Sequence, residues 1–127
     1  MALLNFNKKF ADNVETGLKT QTIRAFRKYP IEGGDTLYLY TGLRSKYSKK
    51  LRQVRCKIVF DIEITKNSIL IEPGWKTMSG LDCQSRLTAT HHLDQFAKLD
   101  GFSSWREMKE WWLRDHGLPF RGMLIMW

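Results

Sequence analysis

Cysteine is scarce in this 127-residue chain: Cys56 and Cys83 stand 27 positions apart and form no Cys-x-x-Cys pair. That spacing excludes the common zinc motifs and a disulfide-stapled secreted scaffold, and makes reduced thiols in a cytoplasmic setting the expectation. Proline is equally sparse at three residues, and no repeat, low-complexity tract or Pro/Ser-rich linker interrupts the sequence, so residues 1–127 are read as a single domain. No apolar run approaches the roughly 18 residues of a membrane helix. The opening Met1-Ala2-Leu3-Leu4-Asn5 gives way to Lys8 and Lys9 before a signal-peptide core can form, and no membrane association is expected. Adjacent His91 and His92 diverge by about 100° on a helix and cannot share an ion as an i,i+4 pair would. Neither a metal nor a cofactor is implied.

What the chain does hold is apolar material and positive charge. A hydrophobic share of 43%, with 13% aromatics, suffices for a sizeable core. Lysine and arginine total 21 against 13 carboxylates, a net charge of +8, which makes a polyanion the first partner to consider. The excess is local. Between Thr41 and Lys57 lie Arg44, Lys46, Lys49, Lys50, Arg52, Arg55 and Lys57 with no carboxylate, and eight less these seven leaves +1 for everything else. A second acid-free run holds Lys19, Arg24, Arg27 and Lys28; folded together, the two runs would make one positive face. Mixed signs suit a plain solvated surface better than an acid-free run does. Tyr40 and Tyr47, in or beside the longer run, suit stacking on unpaired bases, so a long basic loop over residues 44–57 is read as a binder of nucleic-acid phosphates.

Secondary structure reads as mixed. Phe10, Ala11 and Val14 share one face of a helix over Lys8 to Thr16, which Gly17 ends. Thr20 to Arg24 and Thr36 to Tyr40 read as strands around a turn at Pro30 to Asp35, and Val54 to Ile64 carries the clearest period-two alternation, as one half-buried strand would. Ser68 to Ile71, ended by Glu72-Pro73-Gly74, and Met123 to Trp127 complete the strands. Leu93, Phe96 and Ala97 mark one further helix. Ser104 and Glu107 have capping-box spacing for another, with Trp105, Met108 and Trp112 on its stripe. Trp105, Trp111 and Trp112 are accordingly read as core and helix-packing residues, and Trp75 as a loop residue tucked onto the fold. The order, roughly strand, helix, two strands, basic loop, two strands, two helices, strand, lacks regular βα alternation. It indicates an α+β fold: a small, mostly antiparallel barrel with helices packed on it.

Four pieces, in this order along the chain, resemble the ASCH domain family, whose fold is a PUA-like β-barrel. They are Gly17-Leu18-Lys19-Thr20-Gln21-Thr22-Ile23-Arg24, then Gly34-Asp35-Thr36-Leu37, then Ala97-Lys98-Leu99-Asp100-Gly101-Phe102-Ser103-Ser104 with Glu107-Met108, and finally Phe120 to Trp127. The first is the most specific. The resemblance implies RNA binding, and for some bacterial members hydrolysis of an acetylated cytidine or of RNA. It would give catalysis in the small amidohydrolases to a lysine, a threonine and a glutamate, which fall here on Lys19, Thr22 and, one methylene shorter, Asp100.

A carboxylate such as Asp100 at a helix C-terminus meets the negative end of the dipole, so a further partner should hold it, either a local turn contact or salt bridge, or a cleft that also contains Lys19. Lys19 and Thr22, three apart, meet only if Lys19 belongs to the turn before the strand. The reading that follows is an RNA-preferring binder of single-stranded nucleic acid that accepts an unpaired or modified base, a modified nucleoside among the candidate ligands. Its cleft lies at Lys19 to Arg24, and Arg24, Arg27, Lys28, Arg44, Lys46, Tyr47, Lys49, Lys50 and Arg52 contact the nucleic acid. The alternatives are a hydrolase (amidohydrolase or ribonuclease) using Lys19, Thr22 and Asp100, and a protein-interaction module for an acidic partner.

Overall fold

Asn7 starts the first helix, α1 (Lys8–Thr16), by accepting a hydrogen bond from the Lys9 N–H at 3.0 Å, and Gly17 ends it at φ 86°, a left-handed conformation that favours glycine. The structure is a computed structural model describing residues 2–73 and 85–127; Gly74, Trp75 and Cys83, and with them the reading of Trp75, lie outside the described residues. Before α1 runs β1 (Ala2–Phe6), and after it come β2 (Gln21–Arg24), β3 (Thr36–Thr41), β4 (Lys49–Arg55), β5 (Ile58–Ile64), β6 (Ile69–Pro73) and β7 (Ser85–Leu87). Helices α2 (Thr90–Leu99) and α3 (Trp105–Asp115) then lead to β8 (Phe120–Met126).

The strands form a three-stranded sheet, β1-β3-β4, and a five-stranded sheet, β2-β8-β5-β6-β7. All pairings are antiparallel except β1 with β3. The fold is α+β as expected, but these sheets do not close into a barrel. The reason lies in the Val54 to Ile64 alternation, which is two strands. At Cys56 the backbone N–H still bonds Asp35 O, beside β3, at 2.8 Å, whereas the Lys57 N–H bonds Met126 O of β8 at 2.8 Å. One residue thus transfers the chain from the first sheet to the second. Cys56 packs into the corner, 2% exposed, and the bare Cα of Gly33 leaves room for the Lys57 carbonyl, which a Cβ there would approach at 3.0 Å.

The basic stretch differs from expectation in a second way. Only residues 42–48 are a connecting turn; Lys49–Arg55 is the edge strand β4, paired to β3. Apolar Leu51 and Val54 gave little warning of this among five polar neighbours.

Helices α2 and α3 pack together and are tied by hydrogen bonds. Asp94 of α2 accepts from the Trp105 N–H at 2.8 Å, and Ser104 accepts from the Glu107 N–H at 3.2 Å, as the cap spacing predicts. The buried stripes are the expected ones: Leu93, Phe96 and Ala97 on α2, and Trp105, Met108 and Trp112 on α3. Among the described residues no helix is long and apolar enough to cross a membrane.

Gly122 of β8 is the tightest glycine among the described residues, because a Cβ there would collide with the carbonyl oxygen of Arg24 in β2 and with the Phe120 ring. Gly122→Ala should therefore push β2 off β8 and lower the thermal midpoint by about 5–10 °C, measured by circular dichroism. An unshifted midpoint would show that β2 is held more loosely than its register implies.

Candidate functional site

The Lys19 N–H bonds Asn13 O at 2.9 Å, which keeps the residue in the turn after α1 and ahead of β2. Its side chain then runs inward, 3% exposed, and the Nζ donates to the backbone oxygen of Asp100 at 2.5 Å and to its Oδ1 at 3.3 Å. Asp100 is the C-cap of α2, with its own N–H on Phe96 O at 3.1 Å. Gln21 donates a second bond to the Asp100 Oδ1 at 3.4 Å. The carboxylate at the helix end is thus held by the lysine inside a cleft. Burial is the largest influence on both groups: it pulls the Lys19 ammonium below its ordinary value and pushes the Asp100 carboxyl above its own, while each charge opposes the other's shift.

Thr22 and Lys19 line the same cleft but do not bond each other. The Thr22 Oγ1 accepts from Arg24 Nε at 3.3 Å, leaving its own proton free to donate. Arg24 Nη2 donates to Asn5 O of β1 at 2.6 Å and the guanidinium lies 4.9 Å over the Phe6 ring. Burial, with Arg27 nearby, lowers Arg24 to about 10, so it remains a cation at neutral pH.

Opposite these polar groups stands an aromatic wall. Phe10, Phe102, Trp111, Trp112, His116 and Phe120 line the cleft, whose volume is about 190 Å³. Their rings pack in tilted and edge contacts, among them Trp112 to Phe120 at 4.5 Å and Trp112 to His116 at 4.7 Å. Trp112 is a buried stripe residue as read from the sequence. Trp111 is different: half-buried, it contacts Phe10 and Phe102 and faces the cleft. Two successive residues cannot share a helical stripe, and that was the signal available for it. His116 had none, because it enters the wall only through the turn that follows α3.

The basic residues divide. Arg44, Lys46 and Tyr47 are exposed on the 42–48 turn, which is tied to β1 by the Leu43 N–H on Asn5 Oδ1 at 3.1 Å. Asn5 also takes Arg24 and lines the cleft, so this turn adjoins the cleft. Lys49 faces α1 instead and pairs with Glu15 at 3.0 Å. Arg52 is half-buried against Gly17, its guanidinium 3.3 Å from where a Cβ would stand. Lys50 lies on the opposite sheet face, its ammonium 5.3 Å from the Tyr38 ring. Arg27 and Lys28 line a separate groove with Ala2, Leu3 and Tyr29. The expected single positive face is therefore several surfaces, because strand alternation sends neighbouring β4 cations to opposite sides.

No protein-family model, curated protein or solved structure matches this chain.

Removing one member of a buried ion pair strands the other, at a cost of about 3–5 kcal/mol, whereas replacing both with apolar residues is often near neutral. Asp100→Ala should lose about that much in urea unfolding, and Lys19→Met combined with Asp100→Leu should recover most of it. A double variant as unstable as the single one would show that the pair itself holds the fold.

Proposed function

We propose that this chain is an ASCH-type, PUA-like protein that binds RNA in preference to DNA and receives an unpaired or modified base in the cleft at Lys19, Thr22 and Arg24. The observation that carries the reading is the pairing of an aromatic wall with a polar floor in one small cleft. A nucleobase presents a flat ring for stacking and a hydrogen-bonding edge for discrimination. At about 190 Å³ the cleft is below the ~300–1,000 Å³ of drug-sized ligand sites, which suits one base and excludes a stacked pair. An acidic protein partner would have no use for a small aromatic-lined cleft. Phosphates are held on the adjoining turn, where Arg44 and Lys46 have free reach. The mostly antiparallel strands and the helices packed on them support the PUA-like reading, although the two sheets do not close into a barrel.

A second reading rests on Lys19 itself. Burial favours its neutral amine, and a neutral amine in the same cleft as the Thr22 hydroxyl is the combination from which nucleophilic catalysis is built. In that reading Lys19 takes the hydroxyl proton as Oγ1 attacks the acyl carbon of an N-acylated cytosine. The carbon–nitrogen bond breaks, Lys19 returns the proton to the leaving amine, and water cleaves the acyl-threonine. Asp100 orients the lysine. Because the working form of Lys19 is unprotonated, turnover would rise with pH through its lowered value.

Three measurements test these readings. Thr22→Val keeps the β-branched shape and deletes the hydroxyl, so the fold should persist while discrimination among free nucleosides falls by about tenfold; equal loss for every base would count against a base pocket. Arg44→Glu with Lys46→Glu should flatten the salt dependence of single-stranded RNA binding by about 1.4 in log–log slope, and an unchanged slope removes the turn from the interface. Finally, acetylated cytidine is incubated with wild type, Asp100→Glu and Asp100→Asn. Product from the first two and none from the third would favour the hydrolase; no product from any, with binding intact, would remove it.

A further inference from the structure

The three-stranded sheet has a face that the cleft does not use. Helix α1 covers one side, where Leu37, Leu39 and Leu51 are buried. On the other, cross-strand pairing aligns two rows: Leu3, Tyr38 and Gln53 in one, and Asn5, Tyr40 and Lys50 in the next. The second row depends on a β-bulge. The register shifts between Leu39 and Tyr40, so that Leu39 pairs with Arg52 but Tyr40 with Lys50. Leu51 is the extra residue and points into the core. Without the bulge, Leu51 would stand opposite Tyr40 on the open face and Lys50 would turn to the helix side, since a one-residue shift exchanges the faces of a strand.

The bulge thus sets a cation beside two tyrosines spaced two residues apart on a central strand. Arg55, paired with Thr36, adds another cation on the same face, and none of the residues in these rows is acidic. The face is continuous with two features already described. At one end Asn5 belongs to both the Tyr40 row and the cleft lining. Beside it, Leu3 belongs to both the Tyr38 row and the groove of about 650 Å³ that holds Arg27, Lys28, the exposed Tyr29 and one carboxylate, Asp35.

We infer that this face is a stacking platform for the nucleotides flanking the one in the cleft: successive bases of a single strand lie on Tyr40 and Tyr38, with their phosphates toward Lys50, Arg55 and the Arg27-Lys28 groove. A row of aromatic rings edged by cations is what binding of unpaired nucleic acid requires, because every base offers a π-face and every linkage a charge. The Lys50 ammonium lies 5.3 Å from the half-buried Tyr38 ring and donates to Gln53 Oε1 at 3.0 Å; it is displaced to phosphate when a base stacks. The inference extends the proposed cleft reading from one base to a strand of several nucleotides.

The test uses the full chain and a fluorescein-labelled single-stranded oligouridine of about 12 nucleotides, read by anisotropy. Tyr38→Leu with Tyr40→Leu should weaken binding by about 100-fold, roughly tenfold per lost stack. Tyr38→Phe with Tyr40→Phe should stay within about threefold of wild type, since the rings remain. Free-nucleoside binding should change in neither. Wild-type affinity in the leucine pair, or equal loss in the phenylalanine pair, overturns the platform, as does failure of wild type to bind oligouridine. Nucleoside binding without oligouridine binding sinks the platform and spares the cleft; oligouridine binding without nucleoside binding does the reverse. Should the leucine pair unfold, photo-crosslinking of a 4-thiouridine oligomer to wild type decides: adducts at Tyr38 or Tyr40 support the platform, and adducts only elsewhere overturn it.

Discussion

The ion pair of Lys19 with Asp100 is the interaction on which the rest of the cleft depends. It spans 81 residues of sequence and fastens the turn that opens β2 to the end of α2. The Lys19 ammonium also lies 5.1 Å from the Phe10 ring, and Phe10 meets Phe102 at 5.3 Å. Gly101 makes this approach possible. At φ 98° it turns the chain sharply after Asp100, and a Cβ there would press on the Phe10 ring at 2.8 Å. Polar floor and aromatic wall are thus positioned by one contact. As a source of stability the pair is a poor choice, because desolvating two charges costs several kcal/mol each, while a chain of this size retains only about 5–15 kcal/mol in total. An apolar pair would hold the same elements more cheaply. Its occurrence at a cleft is therefore better explained by what the charges do for a ligand.

Asn5 performs a second joining role at a sheet edge. Its backbone oxygen accepts from Arg24 while its side-chain oxygen accepts from the Leu43 N–H. Because β1 is an edge strand, its outward backbone groups need partners; Arg24 supplies one for the Asn5 carbonyl, while the 42–48 turn is tied to the Asn5 side chain. The same arrangement brings the cationic turn, the motif strand and the tyrosine face to one short stretch of β1.

Much of this was legible where local chemistry decides structure. The α1 boundaries followed from Val14, Phe10 and the Gly17 cap, and those of α3 from Ser104 and Glu107, since caps and stripes act within a few residues. The alternation from Val54 to Ile64 misled for a physical reason. Period-two patterning reports which face of a strand is buried, but it carries no mark of the partner strand, and the transfer at Cys56 depends on Asp35 and Met126, both far away in sequence. Similarly, β4 is polar because it is an edge with a tyrosine face on one side, so its composition resembled a loop. In the cleft, Lys19, Thr22 and Asp100 were found through the motif resemblance. The aromatic wall was not, because Trp111 and His116 take part through the packing of α3 against α1 and the turn beyond it, which no single-segment pattern encodes.

The distribution of cations shows why net charge is a weak guide to a binding surface. A total of +8 sets the long-range field that draws in a polyanion, and every lysine contributes to that field wherever it points. Short-range contacts are another matter. Lys49 is matched by Glu15, Arg52 lies against the α1 cap, and Arg24 and Lys19 are committed to internal hydrogen bonds. Outside the cleft, the residues left for a ligand are those that alternation, the bulge at Leu51 and the 42–48 turn direct outward. A one-residue bulge therefore does more to define the surface than any added charge, because it decides whether Lys50 faces the tyrosines or the helix.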